Sequence, residues 1–328
     1  MLTVGVDVGG TSVRASVVDE QGEVLETRDV ATPDSSAALN SAIAGTVLRL
    51  ADRHPVVGVG LAVAGFVSED RRVVRFAPHL AWRHVPVADE IGERVGLPVV
   101  LEHDANAAAV AEQRFGAAVG AGVAALVALG TGIGGALVID GDVYRGAYGV
   151  APELGHLRLV PQGRRCPCGK RGCWERYCSG TALANTALDL LRETPAPAGS
   201  SSMLGGASPD GAGALTGRGV ARAAEAGDPV ASRAVADLAR WLGEGLALIA
   251  DVYDPEVVVL AGGVSGSAHL FLDEARAHYA SAVTGSGNRP LAEVRVARHG
   301  DEAGVVGAAT LAREHVAARS VDLCGRRP

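Results

Sequence analysis

Aromatic residues are scarce in this chain: Phe, Tyr and Trp make up 4% of its 328 residues, against 48% hydrophobic residues in all. Its cores must therefore be filled by Ala, Val and Leu, and a chain of this length is expected to form about two domains. Cysteines are few and odd in number, five in all. That excludes a pairable disulfide framework and points to a reducing setting, the cytoplasm. Positive charge is not in excess either, since 30 Lys and Arg stand against 37 Asp and Glu, for a net charge of −7. Nucleic-acid affinity rests on concentrated positive charge, so small molecules are the expected partners and nucleic acid is not. The opening MLTVGVDVGG lacks the basic flank and apolar core of a targeting signal. The stretch from Phe115 to Ile139 has no charged residue and is long enough to span a bilayer. Gly130, Gly132, Gly134 and Gly135 interrupt it, however, and it reads as two short buried strands joined by a tight loop, with no membrane partner expected.

What the chain does contain begins with HLRLVPQGRRCPCGKRGCWE, residues 156–175, in which Cys166, Cys168 and Cys173 crowd into eight residues and His156 lies ten positions upstream. Three thiolates and one imidazole complete a tetrahedral Zn²⁺ shell, and Gly169 and Gly172 let a short loop close around the ion. Such a shell has no open position. A structural zinc would therefore shape the loop and place the residues that flank it, Glu153, His156 and Glu175. Unrelated buried thiols are the plain alternative.

A repeated unit comes next. LTVGVDVGGTSVRASVVDEQGEVL, from Leu2, runs strand, glycine turn, strand, glycine turn, strand, and VAALVALGTGIGGALVIDGDVY, from Val123, repeats that order. Two half-domains of similar design are expected. Glycine-rich turns present backbone N–H groups to phosphate oxygens, and Thr11 and Thr131 add hydroxyls at matching places. Each turn alone is equally a plain hairpin; two of them facing a common cleft suit a nucleoside triphosphate. Asp7 interrupts the first apolar strand just before its turn, where an unpaired buried carboxylate is costly. Beside phosphates it could hold Mg²⁺, or it could simply cap the turn. In VGLPVVLEHDANAAAVAEQRFG, Val99 to Leu101 read as a strand and Asp104 to Phe115 as a helix with Asp104 at its N-cap. A carboxylate at a strand-to-helix junction also sits where ligands bind in α/β folds, and could accept a proton from a substrate hydroxyl.

DVGGT at 7–11, HDAN at 103–106, LGTGIGG at 129–135, ELGH at 153–156, CPCGKRGCWE at 166–175 and LAGGVS at 260–265 together resemble the ROK family of sugar kinases and repressors, in particular its actinobacterial glucokinases. The resemblance runs nearly end to end; the cysteine motif with its upstream ELGH is the specific part, whereas DVGGT alone marks only the wider actin-like ATPase superfamily. It implies an α/β, two-domain actin-like ATPase (ribonuclease H-like) fold with a cleft between domains, and ATP-dependent phosphorylation of a hexose, most simply glucose to glucose 6-phosphate. An N-acetylhexosamine or fructose kinase, or a non-catalytic sugar sensor of the same fold, are the other readings. Repressors of the family carry a DNA-binding domain ahead of the first strand, for which the start at Thr3 leaves no room. By the same resemblance Asp104 is the catalytic base; Glu153, His156 and Glu175 bind sugar hydroxyls, His156 ligates zinc as well, and Gly65 lies in the sugar pocket. Gly9, Gly10, Thr11, Thr131 and Gly132 hold the phosphates of ATP, Mg²⁺ bridges them near Asp7, and Gly262 and Gly263 flank the adenosine. Relatives form homodimers or homotetramers. Two positions depart from the family pattern: His79 and His103 stand where Asn is usual, both at or near the sugar, and at His103 the fit to glucose is expected to be looser. Trp82 stands as in close relatives and fits a hexose-shaped pocket.

The expected domains are residues 1–115, joined by a last helix at about 301–317, and residues 116–300 with the zinc motif. Residues 194–213, rich in Gly, Pro and Ser, read as a surface loop, and 318–328 as a flexible tail.

Overall fold

The computed structural model describes residues 1–193, 202–204 and 214–325. The loop expected over 194–213 therefore lies outside the described residues except at 202–204, as does the end of the tail from 326.

The valine-rich N-terminal segment forms β1 (Leu2–Val8), β2 (Ser12–Val18) and β3 (Val24–Ala31), an antiparallel meander turning at Gly9–Thr11 and at Gln21–Gly22. β-branched side chains on alternating positions favour such strands, and the pairing Val4↔Val17 and Val6↔Ala15 buries one shared set of small apolar groups. Helix α1 (Ser36–Ala51) follows, opened by Ser35, whose hydroxyl accepts the Ala38 N–H at 3.3 Å. β4 (Val56–Val63) then lies parallel to β1, and β5 (Phe66–Val67), β6 (Val74–Phe76) and β7 (Arg83–Val85) make a small separate sheet. Helix α2 (Val87–Val95) stops at Gly96, which is left-handed at φ 69°. β8 (Val99–His103) completes the first sheet, in the order β3-β2-β1-β4-β8, and runs directly into α3 (Asp104–Phe115).

The apolar stretch after Phe115 folds as two strands, β9 (Val123–Leu129) and β10 (Ile133–Ile139), with β11 (Asp142–Val143) after them. Among the described residues no helix is long and apolar enough to cross a membrane. α4 (Gly180–Glu193), α5 (Gly217–Glu225) and α6 (Pro229–Tyr253) lead to β12 (Val257–Ala261), and α7 (Leu272–Ala282) to β13 (Glu293–Val296). α6 starts at Asp228, whose carboxylate accepts the Val230 and Ala231 N–H groups, with Pro229 in the first turn. The second sheet has the order β11-β10-β9-β12-β13. The last helix, α8 (Ala303–Gly325), is longer than expected, so the backbone of the predicted tail is helical to residue 325; its Ala, Arg and Leu residues are good helix formers.

The chain divides into two compact units, residues 1–121, 136–152 and 298–328 in one, 122–135 and 153–297 in the other. Segment 136–152 thus groups with the first unit rather than with the expected second domain. Arg145 supplies a reason, donating to Glu102 from Nε and Nη2 at 2.9 and 2.6 Å. In the first unit α8 lies directly on the sheet: a Cβ on Gly5 would come within 1.8 Å of the Val305 carbonyl oxygen, and one on Gly60 within 1.9 Å of that of Ala308. Trp82 is part of this unit's core at 0% exposure, with its indole N–H donated to Asn40 Oδ1 at 2.9 Å.

Candidate active site

In the first unit the turn between β1 and β2 carries Gly9, Gly10 and Thr11, closed by the Gly9 N–H donating to Ser12 O at 3.0 Å and by the Thr32 hydroxyl on Gly9 O at 2.7 Å. Gly10 is exposed and lies against His79: a Cβ there would be 3.1 Å from the His79 Cβ. Gly65 lies against the same loop, where a Cβ would meet Phe76 O at 2.6 Å and the Ala77 Cβ at 2.8 Å. Only glycine leaves that approach open.

Asp7 sits at the end of β1, beside the start of α8, where a Cβ on Gly304 would touch its carboxyl at 3.4 Å. Burial, and then the negative charge of Asp104, push the Asp7 carboxyl up to about 6; Arg14 pulls it down and Asp301 pushes it up again. A pocket in which carboxylates oppose one another's ionisation is a fitting donor set for a divalent cation such as Mg²⁺.

Asp104 is the first residue of α3, not its cap. The N-cap is His103, extended at φ −63° and ψ 141° and making no side-chain cap bond. Asp104 Oδ1 accepts the Ala105 N–H at 2.7 Å and lies 3.2 Å from His103 Nε2. With its side chain 43% exposed, the carboxylate keeps Oδ2 available to a ligand. His103, a departure from the family pattern, is thus held against the candidate base itself.

In the second unit the turn between β9 and β10 holds Thr131 and Gly132. It adjoins the N-terminus of α4, since the Gly180 N–H donates to Gly130 O at 2.8 Å. A helix start adds positive partial charge beside a turn that offers N–H groups to phosphate. Gly262, left-handed at φ 82°, packs on the end of β9, with the Val264 N–H on Leu129 O at 3.0 Å and Gly263 next to it.

The cysteine loop is folded on itself. Gly172, at φ 79°, would put a Cβ 1.7 Å from Val160 O, and the Cys166 N–H donates to Lys170 O at 2.9 Å. His156, Cys166, Cys168 and Cys173 are thereby gathered so that one ligand atom from each lies within 4.8 Å of the others. Cys168 and Cys173 sulfurs are 3.6 Å apart, and Cys166 Sγ is 3.8 Å from His156 Nδ1. These are the edges of a tetrahedron with zinc-to-ligand bonds of about 2.0–2.3 Å, so the group fits Zn²⁺. His156 presents Nδ1 to that centre and turns Nε2 toward Glu153, whose Oε2 is 4.0 Å away. Glu175 closes the arrangement: its Oε1 is 3.0 Å from Cys166 Sγ and 3.7 Å from His156 Nδ1, and its Oε2 would lie 2.5 Å from a Cβ on Gly132. The loop, Glu175 and the second glycine turn are thus brought together in one unit.

Sequence reasoning missed Glu102, Asn106 and Arg145, which surround the start of α3. The signal was present, because Glu102 interrupts the apolar strand β8 much as Asp7 interrupts β1, and a buried carboxylate needs partners. The α4 start beside Gly130 left no trace in sequence at all.

The family model described as the ROK family matches residues 3–315. The glucokinase of Streptomyces coelicolor is 45% identical over 313 residues, covering 95% of this chain and 98% of that protein. That of Thermotoga maritima is 33% identical over 318 residues, covering 95% and 98%. Among solved structures, a ROK family glucokinase from Streptomyces griseus in complex with glucose and AMPPNP superimposes with a TM-score of 0.83 at 44% identity, covering 96% of this chain and 100% of that one.

Proposed function

The chain belongs to the ROK family, and we propose that Asp104 is the general base of the reaction it catalyses. That reaction is the ATP-dependent phosphorylation of glucose, and ATP and Mg²⁺ are its cosubstrate and cation. The observation that carries the assignment is the Asp104 carboxylate, with Oδ1 anchored by the Ala105 N–H and Oδ2 left for a substrate proton. Asp104 Oδ2 takes the proton of the sugar 6-hydroxyl as that oxygen bonds to the γ-phosphorus of ATP; the bond from γ-phosphorus to the β,γ-bridging oxygen breaks, and ADP leaves.

The remaining work is orientation and charge neutralisation. Gly9, Gly10, Thr11, Thr131 and Gly132 donate to phosphate oxygens, and Gly262 and Gly263 flank the adenosine. Glu153, His156 Nε2 and Glu175 bind sugar hydroxyls, and Gly65, His79 and His103 are further sugar-site residues. Asp7 would hold Mg²⁺, which supplies neutralisation of phosphate charge when bound. Zn²⁺ held by His156, Cys166, Cys168 and Cys173 would supply rigidity to the loop carrying Glu175 and fix the His156 tautomer. A cytoplasmic location is supported by the odd number of cysteines and, among the described residues, by the free Cys166, Cys168, Cys173 and Cys178.

Asp104→Asn tests the base. An amide can still hydrogen-bond the hydroxyl but cannot take its proton, so kcat should fall at least about 100-fold with glucose affinity nearly intact. Activity within about tenfold of wild type would leave Asp104 only a structural role.

A further inference from the structure

The residue two positions before Asp104 bonds to the chain on both sides of it. Glu102 is 4% exposed, and both of its oxygens are engaged. Oε1 accepts the His103 backbone N–H at 3.1 Å and the Asn106 side-chain amide at 2.9 Å. Oε2 takes the fork of Arg145, Nε at 2.9 Å and Nη2 at 2.6 Å, with Arg71 Nε at 3.4 Å. The first set of bonds lies on either side of Asp104, on the residue before it and on a residue in the first turn of α3. Asn106 Oδ1 is buried with no hydrogen-bond partner among the described residues, so its bond to Glu102 alone dictates which way that amide faces.

Arg145 is anchored in turn. Its Nη1 donates to Val143 O at 3.2 Å, and its own carbonyl accepts the Ala151 N–H at 3.1 Å, which closes residues 145–151 into a loop running toward Glu153 in the sequence. An ion pair with its acid buried and its arginine 25% exposed adds little net stability compared with apolar side chains of the same volume, because the carboxylate loses its water. Its bidentate geometry does fix direction. Stability is therefore a poor account of why an acid is buried here against an arginine, and direction is a good one.

We propose that Glu102 and Arg145 are positioning residues for the phosphoryl transfer: Glu102 holds the β8–α3 junction so that the Asp104 carboxylate is aimed, and Arg145 holds Glu102. This rests on Asp104 being the base. A displacement of about 1 Å in such a group costs on the order of 100-fold in rate, so aim is worth a buried carboxylate.

Glu102→Gln keeps an oxygen for the His103 N–H but sets an amide N–H₂ against the guanidinium. Its kcat should fall at least about 30-fold, with glucose affinity measured by calorimetry without nucleotide changed by less than about threefold. Arg145→Met should behave alike, and Arg145→Lys, which keeps one charged hydrogen bond, should recover to within about tenfold of wild type. Added to Asp104→Asn, Glu102→Gln should lower the residual kcat by no more than about twofold, because no base remains to be aimed. A full-sized further loss in that background would overturn the proposal, as would wild-type kcat in Glu102→Gln. Should Glu102→Gln fail to fold, Arg145→Met with wild-type kcat, or Arg145→Lys no better than Arg145→Met, would overturn it equally. Asp104→Asn with near wild-type activity would remove the base assignment itself. An inactive Asp104→Asn beside normal Glu102→Gln and Arg145→Met would overturn the positioning pair alone.

Discussion

Asp7 shows how one buried carboxyl can weaken the fold. Its folded value, about 6, lies above the ordinary 3.8, so the folded chain holds that proton more tightly than the unfolded chain does. Stability from this group is complete below about pH 4 and is lost as pH rises through 6; above that the ionised acid costs about 3 kcal/mol, because each tenfold difference in proton affinity is worth about 1.4 kcal/mol. Asp7→Asn without added metal should therefore be more stable than wild type at pH 7.5 by up to that amount, and the gain should vanish toward pH 4. Urea denaturation in the presence of a chelator across this range measures it, and equal stabilities at pH 7.5 would contradict the account. Gly132 makes a different residue-level case. The atom that a Cβ there would meet is the far end of Glu175, which can swing away, so Gly132→Ala should fold normally. With Glu175 displaced, the glucose KM should rise roughly tenfold, the loss of one or two good hydrogen bonds, while thermal stability stays within about 0.5 kcal/mol. Steady-state kinetics with an unchanged glucose KM would show that Glu175 does not bind sugar from this position.

Helix α8 is the element on which the first unit depends most visibly. Gly5, Gly60 and Gly307 bring backbone against backbone, the last with Ala107 O only 1.7 Å from where its Cβ would stand, and a carbonyl in a helix cannot swing aside as a side chain can. Gly60→Ala should cost at least about 2 kcal/mol in urea denaturation, in the range of overpacked cores. A loss under about 0.5 kcal/mol would mean that α8 is free to shift. These contacts join residues about 200 to 300 positions apart, so the sequence shows α8 as a helix but not what it packs on. What was legible is local. The two strand-turn-strand units came from alternation and glycine turns, and the cysteine loop from its spacing. α3 was found from its alanines but misread by one residue at its start, because an aspartate is the usual cap and His103 is an unusual one. That Trp82 lies in the core is not visible in sequence, which does not show that Asn40 stands there to accept its indole N–H. Residues 136–152 group with the first unit, and the bond from Arg145 to Glu102 ties them to it, a pairing that no periodicity announces.

At the scale of the whole molecule, each unit carries its own set of the proposed site residues. Asp7, Gly9, Gly10, Thr11, Gly65, His79, His103 and Asp104 belong to the first, and Thr131, Gly132, Glu153, His156, Glu175, Gly262 and Gly263 to the second. Charge is shared unevenly too. In a chain of net charge −7, the stretch 158–176 holds Arg158, Arg164, Arg165, Lys170, Arg171 and Arg176 against Glu175 alone. Three thiolates around Zn²⁺ carry net negative charge, which those cations offset, so the loop is built for the metal-bound form. Removing one ligand should then act on the second unit and on sugar, not on the whole enzyme. Cys168→Ser should lose its zinc, read by atomic absorption, and amide exchange should quicken over residues 156–176 while β1 to β4 stay protected. Because Glu175 and His156 are held by this loop, the glucose KM should rise at least about tenfold while the ATP KM moves less than about threefold. A zinc-free variant with wild-type glucose KM would show that Glu175 and His156 keep their places without the metal. Equal rises in both KM values would instead show that the loop supports the whole unit rather than the sugar side of the site.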